Sequence, residues 1–168
     1  MLCINGVSMD AESKETTMFF LKSWLAEAID GSRSFLNNIN KPFSFEDRFH
    51  KRRMFDEHYV LTATVMSVRF SKQIVHHSPK NVKESLTSFI KATEDAVDVR
   101  DMREHSDEYF LGKGRKKDEF FKGSGNGIQC DMSSSIQNEN GYMLGNLIAM
   151  ETIQFQCETL LEVLNQNA

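Results

Sequence analysis

The sequence contains only two prolines, Pro42 and Pro79, in 168 residues. Proline breaks helix interiors, so long stretches are left free to be helical. Cysteine is scarce as well. Cys3, Cys130 and Cys157 lie far apart, are odd in number, and show no CxxC or Cys/His metal spacing. This pattern argues against a disulfide scaffold and points to reduced, buried thiols. No run of about 18 apolar residues occurs, so no membrane-spanning segment is expected. Met1-Leu2-Cys3-Ile4 is too short for the apolar region of a signal peptide, and no lysine or arginine precedes it. These absences together predict a cytoplasmic protein. Positive charge is not in excess: 20 Lys+Arg against 24 Asp+Glu give a net charge of −4. A dedicated duplex-binding protein would be basic. An enzyme that touches nucleic acid through a local patch need not be.

What is present fits one domain with a real hydrophobic core. Hydrophobic residues make up 40% and charged residues 26% of the chain. Residues 1–11 read as a flexible leader and 12–168 as a single helical domain. Met9 offers an alternative start, because Met9-Asp10-Ala11-Glu12 opens an acidic segment suited to a helix N-terminus. The pattern predicts a first helix over about 12–36, with Phe20, Trp24, Ala28, Phe35 and Ile39 at helical spacing. Pro42-Phe43-Ser44 punctuates it, and Ser44 is placed to cap the next helix. The second helix is expected over about 45–76. Its stripe is Phe55, Tyr59, Met66, Phe70 and Ile74, with Leu61, Val65 and Val68 beside it. So wide an apolar surface implies a central helix packed on more than one side. A third is expected over about 81–109 on the face Val82, Leu86, Phe89, Ile90, Thr93, Ala96 and Val97, which Arg100 continues.

The pattern then changes. Residues 112–117 form a basic, glycine-punctuated loop, and Ser124-Gly125-Asn126-Gly127 is a further turn signal. Short β character follows at 128–130, 134–136 and 142–144, with Asn140-Gly141 favouring a tight turn. This predicts a small β-hairpin inserted at about 126–144. The last helix, about 146–164, carries Met150, Ile153, Cys157, Leu160 and Leu164 at alternating steps of three and four. That stripe either closes the core, its commoner use, or forms a dimer seam. The fold class expected is all-α: an up-and-down bundle of four or five helices with a small β-hairpin insertion before the last helix.

The chemistry-bearing segment is residues 98–108, where eight of eleven positions are ionisable. Arg100 and His105 stand out within it. An arginine offers a fixed fork for phosphate oxygens. A histidine titrates near neutrality and can move a proton. Such a pair can cleave RNA without a metal: the imidazole assists attack of the ribose 2′-hydroxyl, and the guanidinium holds the developing charge. No cofactor or metal is implied. His76-His77 lacks a carboxylate at helical spacing and reads as a solvated helix end.

Arg100-Asp101-Met102-Arg103-Glu104-His105 resembles the Arg-x4–6-His motif of the HEPN superfamily, including a polar residue directly after the arginine. The longer string through Ser106-Asp107-Glu108 looks like a subgroup of uncharacterised bacterial HEPN-like proteins with a small β insertion before a last helix. The resemblance in layout covers about residues 12–168, but the specific residues lie only in 100–108. It implies a helical bundle and a ribonuclease active as a homodimer. Its setting would be a toxin–antitoxin or phage-defence system, with RNA as substrate and an antitoxin or other partner protein. Arg100 would bind phosphate, His105 would be the acid/base, and Asp101 would orient the site.

Other pairs match the same spacing: Arg53 and His58, Arg52 and His58, Arg69 and His76. On an ideal helix Arg100 and His105 stand roughly 140° apart. They converge only if the helix ends between them or a second protomer supplies one. A purely structural use is equally open, with Arg100 paired to Glu104 at i,i+4 and His105 favoured by the helix dipole. A non-catalytic module binding RNA, a nucleotide or a protein is the remaining alternative. Asp101, Glu104, Asp107 and Glu108 crowd the site with negative charge. Lys113, Arg115, Lys116, Lys117 and Lys122 form the one strong basic cluster and are placed to guide RNA, or to serve as a solvated loop. Lys51-Arg52-Arg53, balanced by Glu46, Asp47, Asp56 and Glu57, reads as a helix face with ion pairs.

Overall fold

The computed structural model describes residues 9–42, 44, 46–123 and 129–167. Asp10 starts the first helix as the acidic opening implies: its carboxylate accepts the Ser13 N–H at 2.7 Å. Helix α1 (Ala11–Ile39) lies against α2 (Arg48–Ile74) and α7 (Met150–Gln166). Gly31 lets α1 and α2 approach, because a Cβ there would stand 2.9 Å from Val60 Cγ2. Helix α2 is central, contacting α1, α3 (Lys80–Ala92) and α4 (Glu94–Glu104). The short α5 (Ser106–Phe110) and α6 (Lys117–Phe120) follow. The chain is thus a mostly helical bundle with a small antiparallel sheet before the last helix.

Several expectations are corrected. The buried stripe of α1 is Leu21, Leu25, Ala28, Ile29 and Phe35. Phe20 stays exposed, and Trp24 is only partly buried. In α2 the buried apolar residues are Val60, Leu61, Ala63, Val65, Val68 and Ile74, while Phe55 and Tyr59 face outward. Bulky aromatics at helical spacing do not say which of two adjacent stripes meets the core. Ser44 caps no helix: its Oγ accepts the Glu46 N–H in a turn, and α2 begins later, at Arg48.

The single third helix is in fact three. At Thr93 both the hydroxyl, at 2.8 Å, and the main-chain N–H, at 3.1 Å, are directed to Phe89 O. Thr93 leaves the helical region there (φ −117, ψ 11), which ends α3. At His105 the chain breaks again (φ −111, ψ 26): its N–H still serves Asp101 O, while its own carbonyl accepts from Glu108 and Tyr109 and starts α5.

The insertion is larger than one hairpin. β1 (Phe121–Gly123) pairs with β2 (Gln129–Asp131). β3 (Ser135–Asn138), β4 (Gly141–Leu144) and β5 (Ile148–Ala149) form a separate three-stranded sheet in the order β3-β4-β5. The tight turn falls at Glu139-Asn140, with Gly141 at φ +110 just behind it. The turn expected over 124–127 lies outside the described residues. The last helix starts at Met150, because the preceding residues form β5 and a turn with Asn146 at φ +54. Its stripe, Met150, Ile153, Cys157, Leu160 and Leu164, is wholly buried and closes the core. Burial pushes the Cys157 thiol up to about 12. Tyr142 carries the sheet into the bundle, with its ring centroid 4.9 Å from that of Phe35.

The two loop glycines serve different ends, Gly112 backbone conformation and Gly114 packing. Gly112 has φ +69. Gly114 touches the ring of buried Tyr109: a Cβ there would fall 2.2 Å from Cε1. Gly114→Ala is therefore expected to displace Tyr109 and to cost about 1–3 kcal/mol. Urea unfolding of the variant beside the parent measures that loss, and an unchanged midpoint would contradict the packing role.

Candidate functional site

The segment 98–108 runs along α4 into α5, beside the first half of α2. Arg100 has a side chain 21% exposed, and its Nη2 lies 2.5 Å from Glu104 Oε1. Its Nε is buried with no hydrogen-bond partner among the described residues. The same Glu104 oxygen lies 3.8 Å from His58 Nε2 of α2. One carboxylate thus stands between a guanidinium and an imidazole from different helices.

His105 is 52% exposed at the break, with Nδ1 3.9 Å from Glu108 Oε1. Helix α4 continues through Glu104, so it does not end between Arg100 and His105, and within one chain each side chain turns to its own carboxylate. Asp101 meets His105 through the main chain, where its carbonyl accepts the His105 N–H at 3.2 Å. In the basic loop, Lys113, Arg115, Lys116 and Lys117 are all exposed. Lys116 Nζ is 2.6 Å from Asp98 Oδ1, which ties the loop back to α4. The side chain of Lys122 lies outside the described residues.

Behind this surface sits a buried ionic cluster centred on Glu57, which is 5% exposed. Its Oε2 accepts from Arg103 Nη1 at 3.0 Å and from Ser135 Oγ at 2.6 Å. Its Oε1 accepts from the Tyr142 hydroxyl and, at 3.3 Å, from Arg53 Nε. Arg103, 6% exposed, also donates to Ser134 O at 3.2 Å and to Ser135 Oγ at 2.7 Å. Arg53 donates to the Tyr142 hydroxyl at 2.8 Å and lies over its ring. Burial first, then the hydrogen bond and charge of Glu57, push the Tyr142 hydroxyl up to about 12 against the opposing pull of Arg53. A buried carboxylate with this many donors has its charge compensated. The cluster joins α2, α4, β3 and β4 and so holds α4 against α2 and the sheet. Reading 51–53 as a face with ion pairs holds for Arg52, 3.3 Å from Asp56. It holds as well for Arg53, 39% exposed and 3.3 Å from Glu57, which also joins the network around Tyr142.

Two adjoining cavities open on this face and share Phe55 and His58. One, of about 390 Å³, has walls of Met54, Phe55 and Phe110 and a polar lining of His58, Arg103, Ser106 and Ser133. The other, of about 550 Å³, is lined by Arg52, Asp56, Tyr59, Thr62 and Glu104 in addition. Sequence reasoning named none of Glu57, Arg103 or His58 as site residues. Spacing did hold a signal, since Arg53-x4-His58 repeats the motif and Arg53 and Glu57 are one turn apart. Comparison with family models, with curated proteins and with solved structures finds no match.

Proposed function

We propose that this chain is a metal-independent endoribonuclease of HEPN type whose site is completed by a second copy. One observation carries the reading: helix α4 stops at His105, which leaves an exposed imidazole one turn beyond the Arg100 guanidinium. In this reading the His105 imidazole takes the proton of a ribose 2′-hydroxyl. The freed oxygen attacks the adjacent phosphorus, the P–O5′ bond breaks, and the departing 5′-oxygen takes up a proton. Arg100 of the other copy leaves Glu104 for the phosphate and holds its added negative charge. Asp101 orients the histidine through the main chain. Lys113, Arg115 and Lys117 attract the strand, and Lys116 holds the loop in place. Leu111, exposed in the turn after α5, is one apolar side chain that the second copy would cover. An antitoxin or other partner protein in a defence setting would act by masking this face.

The 2.5 Å Arg100–Glu104 contact favours a second reading. There the guanidinium keeps Glu104 as its ionic partner, and the cluster either binds a ligand or partner without cleavage or simply ties helices together.

The deciding experiment incubates the purified chain with a mixed RNA pool in EDTA. The expected products carry 2′,3′-cyclic phosphate and 5′-hydroxyl ends. Absence of cleavage by a folded dimer would move the assignment to a binding module. A folded, inactive monomer would move it to a structural role.

A further inference from the structure

We propose that the 390 Å³ cavity between α2 and the α4–α5 turn receives an unpaired base of single-stranded RNA, which rests on the ribonuclease reading and narrows its substrate class. Its walls, Met54, Phe55 and Phe110, are 67%, 64% and 62% exposed. Large apolar side chains around a concavity forfeit burial unless something covers them. The polar lining is unusual for this chain. Among the described residues no carboxylate lines the cavity, whereas Arg103, paired with Glu57 behind it, and His58, beside Glu104, do. Ser106 and Ser133 add hydroxyls.

Apolar walls with a non-acidic polar lining suit a flat heteroaromatic ring. Its faces stack on phenylalanine and its edge carries hydrogen-bonding groups. A base in a duplex has its faces already stacked and cannot enter. His105 does not itself line the cavity, but Ser106, the next residue in the chain, does, so the cavity wall begins one residue from the proposed acid/base.

The test is binding of a short fluorescent 2′-O-methyl oligonucleotide, which has no free 2′-hydroxyl and so cannot be cleaved by that route. The full chain is titrated with the single strand and with the same strand annealed to its complement. The single strand is expected to bind at least tenfold more tightly. Phe55→Ala and Phe110→Ala are each expected to weaken single-strand binding by roughly tenfold or more, with duplex binding and thermal midpoint unchanged. No binding, equal binding of the two forms, or variants that bind like the parent would overturn the proposal. So would variants that alter only the oligomeric state, which would assign the walls to a second copy. Cleavage without single-strand preference would remove the base pocket and keep the ribonuclease. The preference without cleavage would keep the pocket alone.

Discussion

Glu57→Ala is expected to lose about 3–5 kcal/mol of folding stability, the usual cost of removing one partner from a buried ion pair. The reason is what it leaves behind. Arg103 is 6% exposed, and its Nη1 faces Glu57 at 3.0 Å, so the variant strands a buried cation. Ser135, the Tyr142 hydroxyl and Arg53 lose their shared acceptor at the same time. Domains of this size are typically stable by about 5–15 kcal/mol, so the loss is a large share of the total. Glu104→Ala serves as the control. That carboxylate is 32% exposed, and its contacts are to Arg100 and His58, so the effect should be clearly smaller. Urea unfolding of both variants measures the difference. Equal midpoints would mean that the cluster does not hold α4 to α2 and the sheet. The same cluster adds an alkaline limit. Tyr142 is raised from its ordinary 10.0 to about 12, so between those values the unfolded chain has released a proton that the folded chain retains. Stability therefore falls as pH rises through that window.

His105→Ala is expected to lower the rate of RNA cleavage by about 10²–10⁴-fold, the range that a positioned acid/base supplies. Arg100→Ala should fall comparably, because it removes the group that meets the developing charge. Neither substitution should much disturb the fold. His105 is half exposed, and the ionic partner of Arg100 lies on its own helix. On the proposed reaction this separates the two parts of segment 98–108: Arg103 tied to stability, Arg100 and His105 expected to act in cleavage. Rates measured beside thermal melts decide it. A rate unchanged in His105→Ala, or an equal fall in rate and in folded fraction, would contradict the assignment.

How much of this was legible in sequence depended on the scale of the signal. The last helix was readable because Met150, Ile153, Cys157, Leu160 and Leu164 share one face without competition. The breaks at Thr93 and His105 were not, because neither is a proline or glycine. Thr93 leaves the helical region through a backbone turn (φ −117, ψ 11) that only the folded chain defines. On α2 the aromatic stripe misled, since Phe55 and Tyr59 border the two cavities and the core is filled from the next stripe. In the ionisable segment, Arg100 and Arg103 are indistinguishable by composition. They differ because Arg103 faces Glu57, distant in sequence, while Arg100 meets Glu104 one turn away. The hairpin turn was readable from Asn140-Gly141. The strand pairing of Ile148–Ala149 was not, because two residues carry no periodicity.

The central claim is that an arginine from one copy and a histidine from another form the reacting pair. It is tested by mixing separately purified Arg100→Ala and His105→Ala chains under conditions that exchange subunits, then measuring RNA cleavage in EDTA. Each variant alone should be nearly inactive, and the mixture should regain activity, because a mixed dimer contains one site with both groups intact. Two inactive variants whose mixture stays inactive, although subunits have exchanged, would contradict a site shared between copies.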